Sequence, residues 1–248
     1  MRSILITGGA TGIGLSLART FKALGHGVVI AGRRASALEK AQSELACHSL
    51  QLDITDESAV QAAFANFEAN NKCPDILINC AGAALTAPFH KTSLQNWQAM
   101  LDVNLTGSFL MTRAALPFMK KSGFGRIVTI ASTAGLKGYA YTAAYTAAKH
   151  GVVGMTRALA LELAGTGVTA NTVCPGFTNT DIVRKSVDTI VEKTGRSRDE
   201  ALQELCKHNP EGRLIEPDEV ADTVAWLIGD KAGSINGQAI AVAGGEIM

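Results

Sequence analysis

A chain of 248 residues, 47% hydrophobic and 18% charged, carries material for one large core and reads as a single domain over 1–248. Its 23 basic and 22 acidic residues are interspersed and leave a net charge of +1, so no charged field argues for a nucleic acid or an anionic membrane as partner. The five cysteines (Cys47, Cys73, Cys80, Cys174, Cys206) are scattered without CxxC or histidine pairing, and no stretch reaches the roughly 20 apolar residues of a membrane span. With a strand and a glycine turn where a signal peptide would stand, the expectation is a cytoplasmic protein with free thiols and no metal.

Ser3 to Thr7 (SILIT) is a short apolar strand, closed by the turn TGGATGIG from Thr7 to Gly14. After it, Ile13, Leu17, Phe21 and Leu24 recur at helical spacing up to Gly25. Strand, glycine turn and helix in that order suit a pyrophosphate. Gly8, Gly12 and Gly14 let the backbone bend and approach a ligand, and the helix start offers free N–H groups. The spacing is GxxxGxG rather than GxGxxG, and an ordinary tight turn is the alternative. Gly27 to Ala31 (GVVIA) is the second strand. It is followed by Gly32, Arg33 and Arg34, where NAD-binding folds usually carry an acidic residue. Gly32 leaves space and either arginine can bond a 2′-phosphate, which favours NADP(H) over NAD(H); two solvated arginines opening a helix are the bland reading.

A helix over 35–47, a third strand Ser49 to Leu52 ending in Asp53, and an amphipathic helix with Val60, Phe64 and Phe67 precede Ile76 to Ile78 and NCAG, Asn79 to Gly82. A long helix from about Leu94 to Met119 follows. It puts Leu94, Trp97, Leu101 and Asn104 on one face, with Pro117 kinking or closing it near its end. A buried amide needs partners, so Asn104 is either structural or part of a site.

Ile127 to Ile130 is β-branched enough for a buried strand, and an alanine-rich helix runs from Thr142 through Leu163. Ser132 stands at the strand's end. Tyr145 and Lys149, spaced i and i+4, share a helix face about 6 Å apart along the axis. A tyrosine with its usual pKa of about 10 is a poor acid and a worse base. An ammonium nearby favours the phenolate, and a serine hydroxyl can donate to an oxygen that both groups surround. Such Tyr/Lys pairs are common, so this chemistry rests on the rest of the chain. Val168 to Val173 is a sixth strand, ending in CPGFTNTDI. Residues 179–209 are more polar and break at Thr194 and Gly195 between two helical pieces, which suggests a lid. Pro217 and Gly229 bracket a helix with Val220, Val224 and Leu227 inward, and Ala239 to Val242 is the last strand. The βα alternation predicts an α/β fold.

In this order the motifs resemble the short-chain dehydrogenase/reductase family over essentially the whole chain. TGGATGIG is similar to its TGxxxGIG, NCAG departs by one residue from its NNAG, IASTAG carries its serine, YTAAK is its YxxxK, and CPGFTNT resembles its PG motif with a following threonine. The separation of Ser132 and Tyr145, 145 − 132 = 13, also suits the family. The resemblance implies a doubly wound Rossmann fold: one sheet of seven mostly parallel strands, order 3-2-1-4-5-6-7, helices on both faces, and the cofactor at the carboxyl ends. It implies Asn104 in a proton relay through a bound water, Ser132 on the substrate oxygen, Tyr145 as acid/base, and Lys149 on the nicotinamide ribose while lowering the tyrosine pKa. Cofactor contacts are expected from Gly8, Thr11, Gly12, Ile13, Gly14, Arg33 and Arg34, with Asp53 and Ile54 at the adenine. Others are expected from Asn79, Ala81 and Gly82 in one loop, and from Pro175, Gly176, Thr178 and Thr180 in another. Cys80 for the second asparagine, and VAGG without the frequent aspartate, are departures expected to leave activity intact.

The implied reaction interconverts a ketone and a secondary alcohol. The C-terminal third resembles members acting on β-keto or β-hydroxy acyl groups, so the expected activity is NADPH-dependent reduction of a 3-oxoacyl thioester on CoA or a carrier protein. The alternative is an NAD-dependent dehydrogenase of a 3-hydroxy acid, a hydroxyacyl-CoA or another secondary alcohol. A non-catalytic dinucleotide sensor is more remote, since it has no need to keep Asn104, Ser132, Tyr145 and Lys149 together. In the lid, Ile182, Val183, Val187 and Ile190 can take an acyl chain or simply pack. Arg184 and Lys185 can face a phosphate, though a solvated face is the preferred reading; His90 and His208 read as exposed or core. By analogy the chain is expected to form a homotetramer through the helices at 94–119 and 142–163 and the last strand.

Overall fold

Near-continuous apolar runs become strands that are covered on both faces, as parallel sheets require. In a computed structural model, which describes residues 1–247, the strands are β1 (Ser3–Thr7), β2 (Gly27–Gly32), β3 (His48–Gln51), β4 (Ile76–Asn79), β5 (Gly125–Ile130), β6 (Val168–Pro175) and β7 (Ala239–Val242). They form one sheet in the order β3-β2-β1-β4-β5-β6-β7. Every pairing is parallel, so the sheet is wholly rather than mostly parallel. β4, β5 and β6 are buried at every position, whereas the edge strands β3 and β7 are not.

The period-2 alternation of β1 divides the core. Ile4 and Ile6 face α1 (Gly12–Ala23) and α9 (Pro217–Leu227), meeting Leu17, Phe21, Val220 and Val224. Leu5 faces the other way, towards Phe64 of α3 (Glu57–Ala69) and Met111 and Met119 of α5 (Gly107–Ser122). Leu24, placed inward by helical spacing, lies past the end of α1 and is exposed. The chain order reverses between β1 and β4, and in an open α/β sheet that switch point opens a crevice at the strands' carboxyl ends.

The long helix expected over 94–119 is interrupted. α4 (Leu94–Leu101) passes into a π-helical turn, Asp102–Thr106, and then into α5. The inserted π turn shifts the helical phase, so Leu94 is 80% exposed while Asn104 is buried. Pro117 does not end the helix, which runs on to Ser122 and closes on Gly123 at φ +70. The segment after β6 folds as α7 (Asp181–Thr194) and α8 (Arg198–Cys206), separated at Gly195 as the sequence suggests. Val183, Val187, Ala201 and Leu205 form a small core of their own between these helices. Among the described residues no helix is long and apolar enough to cross a membrane, and no group of three or more His, Cys, Asp or Glu side chains is placed to hold a metal ion.

Candidate active site

The turn after β1 is built around its glycines. Gly8 takes a left-handed conformation, φ +66, and a Cβ there would stand 2.8 Å from Ala81 Cα. A Cβ on Gly14 would run into the Gly8 carbonyl, so α1 starts directly against the turn that precedes it. Thr7 Oγ1 accepts from the N–H groups of Cys80 and Ala81 at 3.0 and 3.1 Å, which joins this turn to the loop after β4. Thr11 caps α1 without a side-chain bond, leaving its first-turn N–H groups free of a side-chain acceptor. Gly8, Thr11, Ala81 and Gly82 line one cleft together with Arg33, Arg34, Asp53 and Ile54. Beside the arginines, a side chain built on Gly32 would meet only Leu38, at 3.8 Å. Arg33 lies 3.8 Å from Asp53, both side chains being well exposed. Asp53 is held below the usual carboxylate range chiefly by the Thr55 backbone N–H, with the Thr55 hydroxyl and Arg33 adding to it. These features make an open cradle with two cations at the end of β2, which fits a phosphate-bearing dinucleotide.

Asn79 has its side chain in the sheet rather than in this cleft. Its Nδ2 donates to Thr112 Oγ1 at 3.0 Å, and its Oδ1 is buried without a partner, so it supports the loop from below.

A second, larger cavity lies beyond the turn, and a Cβ on Gly12 would meet Thr180 of its lining at 3.2 Å. Ile13, Ser132, Tyr145, Pro175, Gly176, Thr178 and Thr180 line it. Ser132 follows β5 in extended backbone and caps a 3₁₀ turn, its Oγ accepting from Ala134 N at 3.1 Å. Tyr145 and Lys149 come from α6 (Ala143–Glu162). Lys149 Nζ donates to Ile130 O at 2.9 Å and lies 5.7 Å from the Tyr145 ring centre. The Asn104 amide donates to Ala83 O and Met100 O at 2.9 and 3.0 Å. A Cβ on Gly82 would stand 2.8 Å from Asn104 Oδ1 and 3.7 Å from Lys149 Nζ, so these two residues meet at that glycine.

The expected lowering of the Tyr145 pKa by Lys149 is reversed. Burial pushes the phenol up, the Ser132 hydroxyl pulling the other way. Burial also lowers Lys149, to about 8, against the opposing pull of Cys80 and Cys174. The ammonium is turned onto the Ile130 carbonyl, and at the phenol loss of water outweighs the Ser132 hydrogen bond. A neutral phenol beside a serine hydroxyl can hand a proton to an oxygen set between them.

Helix α7 contributes Ile182, Val183 and Ile190 to this cavity, while Val187 packs into the small core it shares with α8. Arg184 pairs with Asp181 at 3.2 Å, and neither Arg184 nor Lys185 reaches the cavity; Lys193 and Arg196 do. His90 is exposed, but His208 lines the cavity, its ring stacked on Phe177 at 5.5 Å. Sequence reasoning did not single out Lys137, Tyr139 or Phe177 of the same wall. The TAGLKGY spacing just after Ser132 was the one available signal for the first two.

A family model described as Enoyl-(Acyl carrier protein) reductase matches residues 8–246. An acetoacetyl-CoA reductase of Shinella zoogloeoides is 39% identical over 250 residues, covering 100% of this chain and 99% of the relative. A D-beta-hydroxybutyrate dehydrogenase of Cupriavidus necator is 35% identical over 242 residues, covering 95% and 94%. A crystal structure of a variant actinorhodin polyketide ketoreductase with NADPH superposes with a TM-score of 0.95 at 35% identity, covering 99% of this chain and 97% of that one. The chain therefore belongs to the short-chain dehydrogenase/reductase family, oxidoreductases that act on CH–OH groups with NAD(P).

Proposed function

We propose that this oxidoreductase uses NADPH to reduce a 3-oxoacyl thioester carried on CoA or a carrier protein. The observation that supports this most is the reach of the second cavity. It has a volume of about 890 Å³ and extends from Ser132 and Tyr145 past Ile182 and Ile190 to Lys193 and Arg196. Lys193 stands about 18 Å along α7 from Asp181, counting helical rise. An apolar slot of that length with cations at its far end suits a long acyl group ending in phosphates better than a four-carbon acid. Arg196 lies 3.4 Å from Glu204, and Lys193 has no ion-pair partner among the described residues. The acetoacetyl-CoA reductase and ketoreductase relatives point the same way.

When bound, the nicotinamide supplies the hydride. Tyr145 gives its proton to the carbonyl oxygen, and Ser132 donates a hydrogen bond to the same oxygen. Lys149 holds the ribose, and Lys149 and Asn104, brought together at Gly82, lie on the route by which solvent restores the proton. The cofactor is bound by Gly8, Thr11, Gly12, Ile13 and Gly14 at the pyrophosphate, Arg33 and Arg34 at the 2′-phosphate, and Asp53 and Ile54 at the adenine. Ala81, Gly82, Pro175, Gly176, Thr178 and Thr180 border the nicotinamide half. The chain acts as one catalytic domain with 179–209 as its lid.

Titration with NADPH and NADH, followed by acetoacetyl-CoA while reduced nicotinamide absorbance is monitored, tests this directly. NADPH is expected to bind more tightly and be oxidised on thioester addition. Arg33→Asp should weaken NADPH by roughly 10- to 100-fold, the worth of a charge-assisted bond, and spare NADH. Preference for NADH with turnover of 3-hydroxybutyrate would overturn it in favour of the hydroxy-acid dehydrogenase.

We also infer a homotetramer, supported by the exposed Leu94, Phe109 and Leu161 on α4, α5 and α6. Sedimentation should give the mass of four chains; a monomer would refute it.

A further inference from the structure

One wall of the substrate cavity carries Lys137, Tyr139, Phe177 and His208. Against it, from the segment after β7, stands Glu246, its side chain only 1% exposed. Glu246 Oε1 accepts from Lys137 Nζ at 3.0 Å and from the Tyr139 hydroxyl. The Tyr139 oxygen also lies 2.6 Å from Thr133 Oγ1. A phenol has one proton, so with it turned to Glu246 the oxygen accepts from Thr133. Burial and the carboxylate both push the Tyr139 pKa up, which keeps that proton in place. The ring is fixed edge-on to Phe177 and His208, at 5.9 and 5.4 Å. Glu246 Oε2 is buried without a partner, and a side chain on Gly176 would meet it at 3.1 Å.

Lys137 and the Tyr139 hydroxyl are the two donors of this wall that Glu246 engages, both through one carboxylate oxygen. We propose that Glu246 sets the charge of the substrate: by holding both donors it makes the cavity refuse free 3-oxo carboxylates and admit their neutral esters and thioesters. A free 3-oxo acid carries its charge two bonds from the reacting carbon, whereas a thioester carries none there. A carboxylate entering beside Glu246 meets an ion pair with no net charge and an unpaired acceptor oxygen, and a buried charge without a partner is strongly disfavoured. The inference rests on the reductase reading of the same site. Glu246 touches no reacting atom, and is a positioning and selectivity residue.

The test compares acetoacetate with methyl acetoacetate, matched in their reacting ketone but different in charge, using the whole protein and NADPH. The wild type should favour the ester. Glu246→Gln frees Lys137, and should raise the ratio of kcat/KM for acid over ester at least about tenfold, through the KM of the acid. Adding Lys137→Met to that variant should remove the gain. An unchanged ratio, or equal losses on both substrates, would overturn the proposal and leave Glu246 a structural residue. Glu246→Ala carries the same expectation should the glutamine variant not fold. If the wild type turns over neither ketone nor thioester, the reductase reading fails on its own. Calorimetric binding of butyrate to the wild type and Glu246→Gln then decides the charge proposal: tenfold tighter binding supports it, equal affinity overturns it.

Discussion

Tyr145→Phe lowers kcat for ketone reduction by roughly 10³-fold, the usual scale of a lost general acid, while NADPH binding stays within about twofold of wild type. The change removes one oxygen and keeps the ring. Lys149 is held by Ile130 O rather than by the phenol, so its position does not depend on the Tyr145 hydroxyl. Tyr139 cannot stand in. Tyr139 lines the same cavity, but its proton is turned to Glu246. Steady-state kinetics with a fluorescence titration of NADPH separates the two effects. Turnover near the wild-type rate would remove Tyr145 from the chemistry, and loss of cofactor binding would make it a structural residue.

The same site predicts a pH profile. Burial keeps the Tyr145 phenol protonated beyond its ordinary range, so it does not limit reduction from the alkaline side first. Lys149 does, with its pKa near 8. With Lys149 in the proposed proton route, reduction should be level below that value and fall as pH rises through it, as the pH dependence of kcat will show. The effect on stability has the opposite sense. The folded pKa lies below the unfolded one, so the unfolded chain binds the proton more strongly. The lysine's destabilising contribution is full below about pH 8 and is relieved as pH climbs towards its unfolded value.

What the sequence disclosed about this site was local. Strand, glycine turn and helix follow one another within 3–23, and Tyr145 and Lys149 are one turn apart, so period and spacing place them without any tertiary knowledge. The strand order came with the family resemblance and agrees with the sheet observed, while the place of Ser132 at the end of its strand was legible from the residues. What stayed hidden depends on helix phase or on distant pairing. The π turn at Asp102–Thr106 leaves no mark in hydrophobic periodicity, yet it decides that Asn104 is buried and Leu94 is not. In α7 most charges share one face, which agrees with the solvated reading preferred for Arg184 and Lys185; Lys193 and Arg196, which do reach the cavity, stand at and beyond the end of that helix, where periodicity gives no guide. Glu246 meets Tyr139 across 107 residues, and no local pattern predicts such a bond.

Gly14→Ala should destabilise the chain by at least about 3 kcal/mol, the upper part of the overpacking range, and abolish NADPH binding. Its new Cβ would fall on the Gly8 carbonyl oxygen and lie 2.8 Å from the Gly8 carbonyl carbon and 3.0 Å from Gly9 Cα. These are backbone atoms of the turn itself, so no rotamer relieves the clash. α1 must move off β1, and the turn loses the shape that presents its N–H groups. Gly12→Ala is milder in packing, since it meets only the Thr180 side chain at 3.2 Å, but its φ of +53 costs about 1–2 kcal/mol for any L side chain. Gly154 in α6 is the control, with nothing within 4 Å of an added Cβ; alanine there should be neutral or stabilise by up to about 1 kcal/mol. In a chain of this length, 3 kcal/mol lowers Tm by roughly 10 °C. Thermal unfolding of the three variants therefore ranks them Gly154, Gly12, Gly14 in order of increasing loss. If Gly14→Ala unfolds with Gly154→Ala and still binds NADPH, close packing of α1 on the turn is not what the third glycine provides.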